Sequence, residues 1–372
     1  MPTFFLTLLT AAQWLAWVLG SVGLLVTVVP VFRQTAWWIR VCDFPRLQIV
    51  AGLCLSLAMM LALPAPRSFG HSFLVVSLIV ALLYQFSRIW PYTQLHRKQV
   101  ADAHRLASDT NNHLSLMVAN VLMYNRDASR CLGHIRHLQP DIVLAVETDD
   151  WWLSQLQRIE KDYPYTCHAP LPNTYGMLVF SRLPLHESQI RYLVDPDIPS
   201  FHGRVVMPNK VPVYLHFLHP KPPAPQESKN SARRDAELLV VGKIIQEHDG
   251  PTVVAGDLND VAWSHTSELF RRLSRLLDPR IGRGLLPTFH ADYKLLRWPL
   301  DHVFHSAHFR LQRLERLTHI GSDHYPIFIC LSYEPNGWQA QELELEAADA
   351  DDREEAEEKI EEGVADVADG NE

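Results

Sequence analysis

A chain of 372 residues with 47% hydrophobic side chains and a formal net charge of −8 has room for two domains, but its apolar residues and its charge are both unevenly placed. Residues 342–372 hold 15 acidic side chains against Arg353 and Lys359, a net of −13, which leaves +5 for the rest and excludes a uniformly acidic body. Five cysteines, Cys42, Cys54, Cys131, Cys167 and Cys330, show no paired spacing, which argues against a disulfide framework or a zinc site.

The apolar excess lies at the front. Residues 4–32, 47–65 and 70–86 contain no charge, and a bilayer core takes about 20 apolar residues as helix, so the pattern predicts three transmembrane helices at about 4–32, 47–65 and 70–92. The first lacks a basic leader and is followed by two more, which argues against a cleaved signal. Arg33, Arg40 and Arg46 flank the first loop and Arg88, Arg97, Lys98 and Arg105 follow the third span, whereas the second loop has only Arg67. By the rule that cations in short loops stay inside, the N-terminus is outside and the globular part is cytoplasmic. Trp37, Trp38, Trp90 and Tyr92 sit at span ends, where amphipathic rings anchor to the headgroup zone. The expectation is a multi-pass protein of the cell membrane (the inner membrane in a Gram-negative bacterium) in contact with membrane lipids. The membrane region and its connector end at 105, a globular domain runs over 106–335, and 336–372 is an acidic disordered tail, too poor in apolar surface to offset chain entropy.

Between 112 and 333 short apolar runs alternate with amphipathic stretches, an α/β pattern. Strands are predicted at 114–121, 141–147, 176–182, 204–208, 211–218, 252–256, 301–305 and 326–332, and helices at 127–138, 149–161, 229–248 and 264–276. Several strands end on a polar side chain. SLMVANV over 115–121 delivers Asn120. DIVLAVET over 141–148 delivers Glu147, a carboxylate closing an apolar strand that must reach solvent or gain a partner such as a divalent cation. VPVYLHFLHP ends on His219 and Pro220, with His216 on the opposite face and so read as packing. VVAGDLND over 253–260 turns at Gly256 and presents Asp257 and Asn259 together. LDHVF over 300–304 and GSDHYP over 321–326 each set an aspartate beside a histidine.

Taken in order, these motifs resemble the endonuclease/exonuclease/phosphatase superfamily over roughly 112–333, and YGMLVFSRLP at 175–184 resembles a further strand of that group. The resemblance implies two packed β-sheets flanked by helices, a four-layer sandwich, with the site at one edge. It implies a Mg²⁺ site, with Mn²⁺ as the alternative, in which Glu147 is the principal ligand, Asn120 supports it and Asp323 approaches it. Asp257 would orient or deprotonate the attacking water, and Asn259 would hydrogen-bond the phosphate. His219 would donate a proton or hydrogen bond, Asp301 would fix and charge His324, and Arg204 is a candidate for holding phosphate oxygens. The resulting expectation is a Mg²⁺-dependent hydrolase cleaving a phosphate ester, of nucleic acid or of a phospholipid or inositol-phosphate head group, by direct water attack. No protein partner is identifiable. The competing class, a non-catalytic membrane scaffold or binding protein that keeps the fold, is disfavoured because each polar position holds a chemically competent residue type.

Overall fold

The structure, a computed structural model, describes residues 2–64, 68–104, 109–334, 341 and 347–370. Arg67 and Arg105, which enter the orientation count, and the expected boundaries at 105/106 and 335/336 lie outside the described residues.

The apolar front folds into helices α1 (Pro2–Val28), α2 (Trp37–Arg40), α3 (Arg46–Ala62) and α4 (Phe69–Ile89). Ala16, Leu53 and Leu78 are buried where α1, α3 and α4 meet, while Phe4, Trp14, Phe73 and Leu83 point outward and stay mostly exposed. Polar groups inside this bundle find partners there, as backbone and side-chain groups away from water must. Ser56 Oγ donates to the Ala16 carbonyl, Gln85 donates to Thr27 Oγ1 and accepts from Arg46, and Arg46 pairs with Asp43 at 2.6 Å. Two stretches, Phe4–Phe32 and Phe69–Tyr92, are long and apolar enough to cross a membrane. The expected span at 47–65 is met only in part. α3 has only 17 residues and meets Trp37–Asp43 at a 73° bend, so a third span exists only if this bent pair counts as one. Pro45, at the break, lacks the N–H that would continue the helical ladder.

The globular part contains strands β1 (His113–Asn120), β2 (Ile142–Val146), β3 (Tyr165–Ala169), β4 (Met177–Ser181), β5 (Leu185–Arg191), β6 (Ser200–Val206), β7 (Pro212–Leu218), β8 (Thr252–Asp257), β9 (Asp301–His305), β10 (Phe309–Arg316) and β11 (Ile327–Tyr333). They form a six-stranded sheet ordered β10-β11-β1-β2-β4-β3 and a five-stranded sheet ordered β5-β6-β7-β8-β9. Alternation along each strand sends Val118, Leu144 and Val179 from one sheet and Phe201, Leu215 and Val253 from the other into a shared core. The opposite face of the first sheet, with Met117, Val143 and Phe180, packs on α5 (Ser129–Leu138) and α6 (Asp150–Leu156) through Leu132 and Trp152. The opposite face of the second, with Val254 and Phe304, packs on α7 (Ala232–Gln246) and α8 (His265–Ser274) through Val241 and Phe270. Helices, sheet, sheet and helices thus stack as expected, each buried large side chain adding about 1.5–3 kcal/mol. β3, β5 and β10 were not foreseen. They lie at sheet edges, where one face meets solvent, and LHESQIR and FRLQRLER are too polar to read as strands from their apolar content.

The acidic tail is corrected. Ala350–Ala368 forms a helix, α9, started by a reciprocal capping box between Asp349 and Asp352. Ion pairs with the rest of the chain fix its face. Arg272 holds Asp352 through two bonds of 2.7 Å, Arg233 holds Asp366 at 2.7 Å, His265 meets Glu355 at 2.6 Å, and Lys359 reaches buried Asp235 at 3.5 Å. Gly363 lets the helix lie directly on Ala232 and Ala236 of α7. Composition does not reveal this helix because Arg233, His265 and Arg272, which pair with its carboxylates, come from distant parts of the chain.

Candidate active site

Strand register alone gathers the polar residues. β1 and β2 are parallel with Asn120 opposite Val146, so Glu147 follows beside Asn120. β7 and β8 are parallel with Leu218 opposite Gly256, which brings His219 next to Asp257, and antiparallel β9 sets Asp301 opposite Asp257. Gly256 is required here. Its φ of +146° suits glycine, and a Cβ would collide with the Leu218 carbonyl. Glu147 (φ 58°) and Asn259 (φ 50°) adopt the left-handed region without being glycine, local strain of about 1–3 kcal/mol of the sort concentrated at functional sites.

Asp257 is the hub. Its Oδ2 accepts from Asn120 Nδ2 at 3.0 Å and lies 3.4 Å from His324 Nε2 and 3.9 Å from His219 Nε2, while Oδ1 accepts the Asn259 amide at 3.0 Å. Burial works to raise this carboxyl, but His324, His219 and the hydrogen bonds hold it below the usual carboxylate range. On the far side of His324, Nδ1 meets Asp301 Oδ2 at 2.7 Å. Burial opposes charging of that imidazole, yet Asp257 and Asp301 outweigh it and raise the ring to about 10, so it is cationic at neutral pH. His219 has no such pair of carboxylates. Burial lowers its pKa, and its Nδ1 has no hydrogen-bond partner among the described residues. A neutral ring donates a hydrogen bond rather than a charge.

Asn120 also donates to Glu147 Oε1 at 2.7 Å. Burial, only partly countered by Asn120 and His324, pushes the Glu147 carboxyl up to about 7. The alternative role, capping the helix that follows, belongs to Asp149, which accepts the Trp152 amide. Asp323 is half-buried and takes a weak bond from Ser322. Among the described residues no Lys or Arg pairs with Glu147 or Asp323. Asp257, Asp301 and His324 present ligand atoms all within 4.8 Å of one another, close enough to share a cation. With His324 protonated, however, the imidazolium already fills that role and has no free lone pair. The carboxylates here with no ion pair among the described residues are those of Glu147 and Asp323, while Asp301, paired with His324 through Oδ2, keeps a buried Oδ1 with no hydrogen-bond partner among them.

A profile of the Endonuclease/Exonuclease/phosphatase family matches residues 117–324. The chain belongs to that family. Among solved structures it is similar to D. rerio TDP2 humanized by 14 mutations (17% identity, 59% of this chain and 99% of that one, TM-score 0.48). It is likewise similar to the human Nocturnin catalytic domain with bound sulfate (18%, 60% and 95%, TM-score 0.48) and to mannosyl-6-phosphatase Bt3783 of Bacteroides thetaiotaomicron VPI-5482 (17%, 59% and 100%, TM-score 0.48). No curated protein matches the chain. Members of the endonuclease/exonuclease/phosphatase family are hydrolases of phosphate esters.

One expected residue is not brought to this centre. Arg204 lies opposite Tyr214 in β7, well down the strand from His219, and pairs with Glu187 at 2.6 Å. Phe201 and Val205 point into the inter-sheet core, so strand alternation turns Arg204 to the other face, beside His202 and His216. Asn259 is at the centre but engaged, donating to the Pro220 carbonyl at 2.9 Å. Four contributors went unread. The Tyr175 ring lies against His219 and its hydroxyl donates to Glu227. Phe289 covers His324 at 4.9 Å, Thr288 Oγ1 accepts the Asp301 amide, and Arg126, on the loop after β1, donates two hydrogen bonds to the Asp149 carboxylate. Only the polar pair Asn125–Arg126 after an apolar strand offered a local signal.

Proposed function

We propose that this chain is a membrane-anchored phosphoesterase that works with a divalent cation, Mg²⁺ or alternatively Mn²⁺, and that residues 106–335 form its catalytic unit. The observation that carries this reading is the convergence on Asp257 of a cationic His324, a neutral His219 and an Asn120 that is shared with Glu147. The donor set fits the cation: Glu147 is a half-buried carboxyl with no ion pair among the described residues, and Asp323 stands near it, hard oxygen donors of the type Mg²⁺ takes. Glu147, Asn120 and Asp323 would hold it. When bound, it neutralises charge on the phosphate oxygens.

The side chains divide the remaining work. Asp257, anionic at neutral pH, accepts a hydrogen bond from water and aims the oxygen at phosphorus. Because its pKa is low, alignment counts for more than full deprotonation. The new P–O bond forms as the bond to the leaving oxygen breaks, one water proton passing to the leaving group and the other to phosphate or solvent. His324, held by Asp301, places positive charge against the phosphate, and His219 and Asn259 supply neutral donors as that charge redistributes. The outward apolar side chains of α1 and α4 support a membrane anchor. The test is hydrolysis of bis(p-nitrophenyl) phosphate by the full chain in detergent, with Mg²⁺ titrated and Asp257→Ala as control. Metal-dependent turnover lost in the variant is expected. Equal, metal-independent background from both proteins overturns the reading in favour of a scaffold.

A further inference from the structure

The loop between Phe289 and Trp298 has a feature that catalysis does not use. Leu295 is 84% exposed, Tyr293 56% and Leu296 46%, three apolar side chains within four residues, with exposed Lys294 among them. Single exposed leucines are ordinary, but a cluster interleaved with a cation is the composition of segments that seat at a membrane surface. Its position gives it meaning. Gln48, in the first turn of α3, donates to the Leu295 carbonyl at 2.6 Å, so the leucine lies at the level where the apolar helices begin. Phe44, in the break before α3, packs edge-on against Trp298.

The other end of the loop is fixed to the active site. Trp298 stacks on Phe289, Phe289 covers His324, and the Ala291 amide donates to the Asp323 carbonyl at 2.6 Å. Arg297 braces the bend through the Ala291 and Tyr293 carbonyls and the Tyr325 hydroxyl. The loop is therefore a rigid bracket between the first turn of an apolar helix and the catalytic histidine, with its leucines left uncovered.

We propose that residues 291–297 seat in the headgroup region of the bilayer, and that the substrate is the phosphate ester of a membrane lipid, presented to His324 and Asp257 at that surface. This rests on the membrane-anchored phosphoesterase reading above. Tyr293 and Leu295 enter the interface, Lys294 meets the anionic head groups, and the scissile phosphate never leaves the membrane plane.

The full chain in nanodiscs of phosphatidylcholine, phosphatidylglycerol and phosphatidic acid tests it, because probe and turnover are read separately. An NBD label on Leu295→Cys, after subtraction of the equally labelled parent, is expected to be quenched by doxyl lipids. Leu295→Ser with Leu296→Ser should cut release of product from the disc lipids by about tenfold or more, while hydrolysis of water-soluble bis(p-nitrophenyl) phosphate stays within about twofold. An unquenched label on protein that remains in the disc overturns this inference and leaves the anchor intact, whereas a parent that stays soluble without detergent overturns the anchor itself. Equal loss on both substrates, or a parent that cleaves single-stranded DNA but no disc lipid, also overturns it.

Discussion

Asp301→Asn isolates the charge that holds His324 in its cationic form. The carboxylate contacts Nδ1 at 2.7 Å in a fully buried setting, and hydrogen bonds to charged groups contribute about 1.5–3 kcal/mol. At 1.36 kcal/mol per pKa unit, removing the charge while keeping the shape should lower the ring by about 1–2 units. Starting from about 10, the variant ring titrates near 8–9 by that same conversion. The sign follows from linkage. A histidine raised above its ordinary 6.5 contributes stability that is complete below that value and is lost as pH rises through about 10. The substitution therefore moves the upper edge of the window down and leaves the lower edge in place. With phosphate held by the imidazolium, kcat/KM should fall along the same limb, which in the variant lies about 1–2 pH units lower, whereas near neutral pH, where its ring is still mostly cationic, turnover should be largely kept. The measurement is kcat/KM from about pH 6 to about pH 10.5 for both proteins at fixed Mg²⁺, with histidine NMR following His324 directly. An alkaline limb in the same place in both would refute the coupling and reduce Asp301 to a structural residue.

Glu147→Gln removes a charge from the proposed cation site, so the half-saturating Mg²⁺ concentration should rise by about tenfold or more; an unchanged value in a metal titration contradicts the assignment. Gly256→Ala puts a methyl into the Leu218 carbonyl at a φ of +146°, which should cost about 3 kcal/mol or more. Gly133→Ala, where nothing lies within 4 Å of the added carbon on the exposed face of α5, should stabilise by about 0.5–1 kcal/mol. Thermal melts of the pair check both signs. Asp366→Ala removes a carboxylate that holds Arg233 and should loosen α9, seen as faster proteolysis within 347–370, with kcat/KM held within about twofold.

The centre was legible because β-structure turns sequence into position simply: an apolar run buried on both faces must end, and parallel neighbours end together. Asn120, Glu147, His219, Asp257 and Asp301 were read from that logic, and register now sets them side by side. Arg204 failed by the same logic, since its place along β6 and its face follow from the register with β7, which no local pattern shows. The first turn of α7 marks the deeper limit. Arg233, Arg234, Asp235 and Glu237 put four charges within five residues, and all four are buried. Arg234 bonds Asp235 at 2.7 Å and the Asn259 carbonyl at 2.8 Å, and it faces Asp260 at 3.4 Å. Asp235 in turn takes Lys359 from α9, and Trp263, shortly after Asp260, donates to the Asp43 carbonyl before α3. Burial of Arg233, Arg234 and Asp235 is tolerable because each meets an opposite charge, whereas the Glu237 carboxyl, its Oε1 without a partner among the described residues, is pushed up by burial to about 8; Lys359 and the Asp43 carbonyl tie this corner to opposite ends of the chain. The loop that carries Asn259 is thus set by both termini, and removing either should unsettle the catalytic edge before it disturbs the sheets.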